Sequence, residues 1–144
     1  MKAAGPVVLD ASALLALLRA EPGGVRVAAA IVPGALISAL NWAEVLSRLV
    51  DLGGDPAEVT AMSLPPAGSS GVEVVPFDDA QARETARLRA RTRSLGLSLA
   101  DRAALGLARL RGLPVLTSDR AWRSLHLSIR IEVIRDTSGP STHP

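Results

Sequence analysis

Short apolar runs rich in β-branched residues recur along this chain, and a stretch of helical periodicity separates each from the next. The runs are Val7-Val8-Leu9, Ala35-Leu36-Ile37-Ser38, Val72-Glu73-Val74-Val75, Pro114-Val115-Leu116-Thr117 and Ile129 to Ile134. Strands separated by helices rather than hairpin turns pair in parallel, with helices covering the sheet. The pattern therefore predicts an α/β fold. Its helices run from Ser12, from Val25 to Val32, from about Leu40 to Leu52, from Asp55, from about Asp79 to Leu95, from Ser98 to Arg111 and from Arg120 to Leu125. Punctuation agrees: Pro33-Gly34, Gly53-Gly54 and Gly112 close helices, and Asp55-Pro56 opens one as cap and first position. Leu64 to Gly71 reads as a loop, since the alternation resumes at once. With 144 residues, the chain is expected to form one domain over residues 1–136, followed by a polar tail over 137–144.

Composition removes several alternatives. A hydrophobic content of 48% excludes a disordered chain, and the absence of cysteine excludes disulfides, thiolate metal sites and cysteine nucleophiles. The most apolar stretch, Val27 to Leu40, is broken by Pro33-Gly34 and falls short of the ~20 residues that cross a bilayer. Asp10 interrupts the only candidate signal sequence, so a cytoplasmic protein without membrane contact is expected. The pI of about 10.3 exaggerates the basicity. Net charge is only +2, and fifteen of the sixteen basic residues are Arg, so almost nothing titrates between neutrality and the Arg range.

Chemistry in an open α/β sheet gathers beyond the carboxyl ends of the strands. Asp10 ends the first run and Asp119 follows the fourth. Each has an ordinary reading as a helix cap. Asp101 fits a capping box with Ser98. Glu44 lies on the polar side of its helix with Asn41, Arg48 and Asp51, opposite an apolar arc of Trp42, Val45, Leu46, Leu49 and Val50. Together the four acids have a different meaning. Strand ends in a parallel sheet share one edge, and Asp101 in the first turn of its helix and Glu44 in the second can lean over it. Carboxylates brought together repel, and a hard divalent cation is the usual remedy. Water bound to such an ion ionises near neutral pH and attacks a phosphodiester. The four acids thus predict a metal-dependent nuclease.

The order Val-Leu-Asp-Ala-Ser, Asn-Trp-Ala-Glu, Leu-Ser-Leu-Ala-Asp and Leu-Thr-Ser-Asp, from Val7 to about Ile134, resembles the PIN-domain ribonucleases, particularly VapC toxins of toxin–antitoxin pairs. The resemblance implies a five-stranded parallel sheet of order 3-2-1-4-5. It also implies Asp10, Glu44, Asp101 and Asp119 as an acidic quartet holding Mg²⁺ or Mn²⁺, with Ser12 and Thr117 as supporting hydroxyls. A homodimer, a small antitoxin partner and an RNA product with a 5′-phosphate and a 3′-hydroxyl follow from the same likeness. A free-standing PIN nuclease of RNA maturation, or a non-catalytic nucleic-acid-binding module, is the competing reading. No acid of the quartet is missing, which disfavours the latter. A phosphoryl-accepting receiver domain is disfavoured too, because Lys2 is the only lysine.

The Asp79–Leu95 helix is rich in arginine. Arg83, Arg87 and Arg91 repeat every fourth residue on one face, and Arg89 and Arg93 do so on another. They read either as a solvated face or as phosphate contacts to RNA. Phe77, Trp42 and Trp122 are the only aromatics, too few for a base-stacking platform. Recognition is therefore expected through backbone and shape, as of a structured RNA. His126 and His143 are expected at the surface.

Overall fold

The computed structural model describes residues 5–58 and 71–137. Its strands are β1 (Val7–Leu9), β2 (Ala35–Ser38), β3 (Val72–Val75), β4 (Val115–Thr117) and β5 (Ile131–Val133). They form one parallel sheet in the order β3-β2-β1-β4-β5. The helices are α1 (Ala11–Leu18), α2 (Gly24–Ala30), α3 (Ala39–Asp51), α4 (Asp79–Thr92) and α5 (Leu99–Arg111), with 3-10 turns at Arg93–Leu95, Arg120–Ser124 and Ile134–Thr137. Most of the proposed tail and the loop from Leu64 to Ser70 lie outside the described residues.

Side chains alternate across each strand, so the sheet divides the core in two. Val7, Leu9, Ala35, Ile37 and Leu116 pack with α1, α2 and Val45 of α3. Val8, Leu36 and Val115 pack on the opposite face with Leu88 of α4, Leu105 and Leu107 of α5, and Trp122. The three central strands are buried throughout, whereas β3 and β5 are partly open, as edge strands are. The last strand is shorter than its apolar run, Ile129 to Ile134: only Ile131 to Val133 pair with β4, and the backbone turns into a 3-10 helix at Ile134.

Capping follows the sequence closely. Asp10, Ser38, Asp78 and Ser98 cap α1, α3, α4 and α5, and Gly112 ends α5 in the left-handed region. Two expectations need correction on α3. Val50, assigned to the apolar arc, is exposed, because it lies in the last turn of α3, from which residues 50–58 are open to solvent. Asn41, assigned to the solvated side, is buried, because the first turn of α3 is wedged against α1 and α5.

Candidate active site at the carboxyl edge of the sheet

Asp10 stands where the central strand ends, with β2 and β4 on either side. Only 4% of it is exposed. Its Oδ1 accepts hydrogen bonds from the Ala13 backbone N–H at 2.8 Å and the Ser12 hydroxyl at 2.7 Å. Its Oδ2 accepts one from the Thr117 hydroxyl at 2.5 Å. The cap position and the candidate site position therefore coincide in one side chain. Burial pushes the Asp10 carboxyl up from an ordinary 3.8 to about 6, against the lowering effect of Thr117, Ala13 and Ser12, and the charge of Asp101 adds to the rise.

Ser12 and Thr117, the two hydroxyls bonded to Asp10, also accept hydrogen bonds of their own. The Ser12 hydroxyl accepts the Ser118 N–H at 2.8 Å, and Thr117 Oγ1 accepts the Asp119 N–H at 3.1 Å. These bonds tie the turn after β1 to the turn after β4. Asp119 is thereby joined to Asp10 through one hydroxyl. Its own Oδ1 accepts from Ala121 N–H at 2.9 Å, and the side chain is exposed.

Asp101 sits in the first turn of α5 and completes a reciprocal capping box with Ser98, each bond 3.1 Å. Glu44 lies on the open side of α3. Its carboxyl is held above the usual range, first by desolvation and then by the charge of Asp101, while Arg48 lowers it. Asp101 thus lies within electrostatic reach of both Asp10 and Glu44. Among the described residues no three acidic or histidine side chains converge closely enough to hold a metal ion. The donor set nevertheless suits a divalent cation, since it consists of carboxylate oxygens whose mutual repulsion such an ion would relieve.

Asn41 is the structural contributor that helical periodicity misassigned. Its Oδ1 accepts the Ala11 N–H at 3.3 Å and its Nδ2 donates to the Ala100 carbonyl at 3.1 Å. One amide therefore bridges the residue after Asp10 and the residue before Asp101. The hint available in the sequence was its place three residues after the cap Ser38, where a helix entering from a buried strand cannot turn its polar side to water.

Beside this edge is a cavity of about 450 Å³ lined by Ser12, Ser118, Arg19, Arg48, Glu21 and Arg135 among others. Arginine side chains therefore stand beside the turns that carry Asp10 and Asp119, and one of them, Arg19, is paired with Glu21 at 3.1 Å. Arginines of α4 are also engaged. Arg83 pairs with Asp79 at 2.7 Å, Arg87 with Glu84 at 2.9 Å, and Arg91 donates to the His126 carbonyl at 2.9 Å. Each thus has a partner within the molecule. Among the described residues no helix is long and apolar enough to cross a membrane.

A family model described as PIN domain matches residues 7–126. Among curated proteins no sequence relative matches the chain. Solved structures do. A toxin–antitoxin complex from Klebsiella pneumoniae aligns at 19% identity and TM-score 0.65, covering 83% of this chain and 92% of its own. VapBC-5 from Mycobacterium tuberculosis, a member of the VapBC toxin–antitoxin family, aligns at 28% identity and TM-score 0.57, covering 91% and 98%. VapC20 from the same organism, described as a sarcin–ricin loop cleaving toxin, aligns at 16% identity and TM-score 0.62, covering 86% and 98%.

Proposed function

Because the chain belongs to the PIN-domain family, we propose that it is a metal-dependent endoribonuclease and the toxin of a two-protein toxin–antitoxin module. One observation carries the reading. A carboxylate is buried at the end of the central strand, fixed by three donors, and within reach of the charge of Asp101. A cap needs only the Ala13 contact, so the burial and the Thr117 clamp go beyond what capping explains. The relatives described as toxin–antitoxin proteins and as a sarcin–ricin loop cleaving toxin support the same reading.

Asp10, Asp101, Glu44 and Asp119 are the residues that would hold Mg²⁺ or Mn²⁺, which supplies an acidified water and a positive charge for the phosphodiester. The remaining work belongs to the chain. Ser12 and Thr117 hold Asp10 in one orientation, and Asn41 sets the separation of the turns bearing Asp10 and Asp101. Arg48, whose charge acts on Glu44, lines the cavity beside Ser12 and Ser118, where phosphate oxygens flanking the scissile bond would lie; Arg19 lines it too but is paired with Glu21. Arg83, Arg87 and Arg91 remain candidates for weaker backbone contacts. In hydrolysis a water oxygen joins phosphorus and the 3′ oxygen departs with a proton, leaving a 5′-phosphate and a 3′-hydroxyl.

An unguarded cytoplasmic nuclease harms its own cell, so the reading includes a small antitoxin. A concave acidic edge is complementary to an inserted Arg or Lys. A homodimer belongs to the same proposal. The test is controlled expression of the wild-type chain and of Asp10→Asn, followed by RNA-end mapping. New 5′-phosphate ends and growth arrest with wild type alone, relieved by co-expressing the adjacent small gene, support the toxin. Specific cleavage with normal growth would favour an RNA-maturation nuclease, and no new ends would sink both.

A further inference from the structure

Where α4 gives way to α5, a cavity of about 250 Å³ is lined by Arg89, Thr92, Arg93, Gly96, Leu97 and Arg102. Three of these residues are arginines and none is acidic. Arg102 is only 7% exposed, and its guanidinium donates to the Thr85 carbonyl at 3.1 Å. Among the described residues no carboxylate lies within ion-pair distance of Arg89, Arg93 or Arg102. The Thr92 hydroxyl is engaged by the Leu88 carbonyl, which leaves the guanidinium groups as the donors.

A buried cation without a counter-charge is costly, and two further cations beside it add repulsion. An oxyanion in the cavity removes both costs. The planar fork of Arg matches phosphate oxygens, and a partly buried Arg is less screened than an exposed one. Arg102 follows Asp101 in the first turn of α5, so the cavity borders the helix end that carries this acid. Arg83 and Arg87, already paired to Asp79 and Glu84, carry less free charge. We infer that the Arg89–Arg93–Arg102 pocket binds a backbone phosphate of the RNA whose scissile bond lies at the carboxylate edge. This rests on the nuclease reading, and it assigns the pocket the task of fixing the strand relative to Asp10.

The test uses the full chain carrying Asp10→Asn, to suppress cleavage, and a fluorescein-labelled random-sequence RNA oligonucleotide. Affinity is measured across a salt series for this parent, for Arg89→Ala/Arg93→Ala, and for Arg83→Ala/Arg87→Ala. All four arginines are exposed, so melting curves should overlay. The first pair should weaken binding and flatten the slope of log affinity against log salt by about 0.7 for each phosphate no longer neutralised. The second pair should leave the slope nearer the parent's. Equal slopes in parent and Arg89→Ala/Arg93→Ala overturn the inference while leaving the nuclease reading intact. A parent that binds no RNA overturns the nuclease reading and the inference with it. Stabilisation by inorganic phosphate that the first pair abolishes, with RNA affinity unchanged, would assign the pocket to a free anion and also overturn it.

Discussion

Asp10 is disfavoured as a charge in the fold that holds it, and the sign of that effect can be measured. Its folded value of about 6 exceeds the ordinary 3.8, so the native state binds more protons than the unfolded chain between those values. Stability from this group is present below about pH 4 and lost as pH rises through about 6. The difference corresponds to about 3 kcal/mol by the usual conversion. Without metal, Asp10→Asn should melt with wild type below pH 4 and several degrees above it at pH 7, in thermal scans across pH. A constant gap at all pH values would remove the buried charge as the cause. Asn41 is a second residue whose task shows only in three dimensions. Asn41→Ala leaves the Ala11 N–H and the Ala100 carbonyl without this partner, which should cost about 1–3 kcal/mol in denaturant melts. It should also reduce cleavage, with the loss persisting at temperatures where the variant remains fully folded. Helical periodicity hid Asn41 because a wheel separates faces, whereas here the end of the helix is buried.

The turn joining α1 to α2 is among the tightest places between elements. Gly23 adopts a φ of 94°, and a Cβ added at Gly24 would lie 2.5 Å from the Ala16 carbonyl oxygen. That neighbour is main chain, so it yields only if α1 or α2 shifts. Gly24→Ala should therefore destabilise by about 1–3 kcal/mol in denaturant melts, despite the better helix propensity of alanine. Such glycines were legible as turn punctuation but not as packing requirements. Capping was read more completely: the Ser98–Asp101 box and the Asp10 and Asp119 caps are local hydrogen bonds, so three or four residues suffice to announce them. The end of α4 was not, since the helical pattern continues to Leu95 while the backbone tightens to a 3-10 turn after Thr92. A change of winding alters no side-chain type.

Alternation of strand and helix was visible because each short run is buried on both faces, which forces Val, Leu and Ile into β1, β2 and β4. Strand order was not visible in that alternation. It depends on which crossovers pack across β1, and it came from the resemblance to PIN domains, which the sheet bears out. The acids were legible as positions on a shared edge. Their separations were not, because they are set by bonds such as Thr117 to Asp10 and Asn41 to Ala100 that span more than fifty residues of chain. The central claim is that this edge is one metal-dependent nuclease site rather than a row of helix caps. Purified wild type, Asp10→Asn and Asp101→Asn should be compared for RNA cleavage with Mg²⁺, with Mn²⁺ and with chelator, each beside its melting curve. The account predicts cleavage by wild type only when metal is present, and none by either variant although both remain folded. Cleavage that survives chelation, or that either folded variant retains at the wild-type rate, would contradict it.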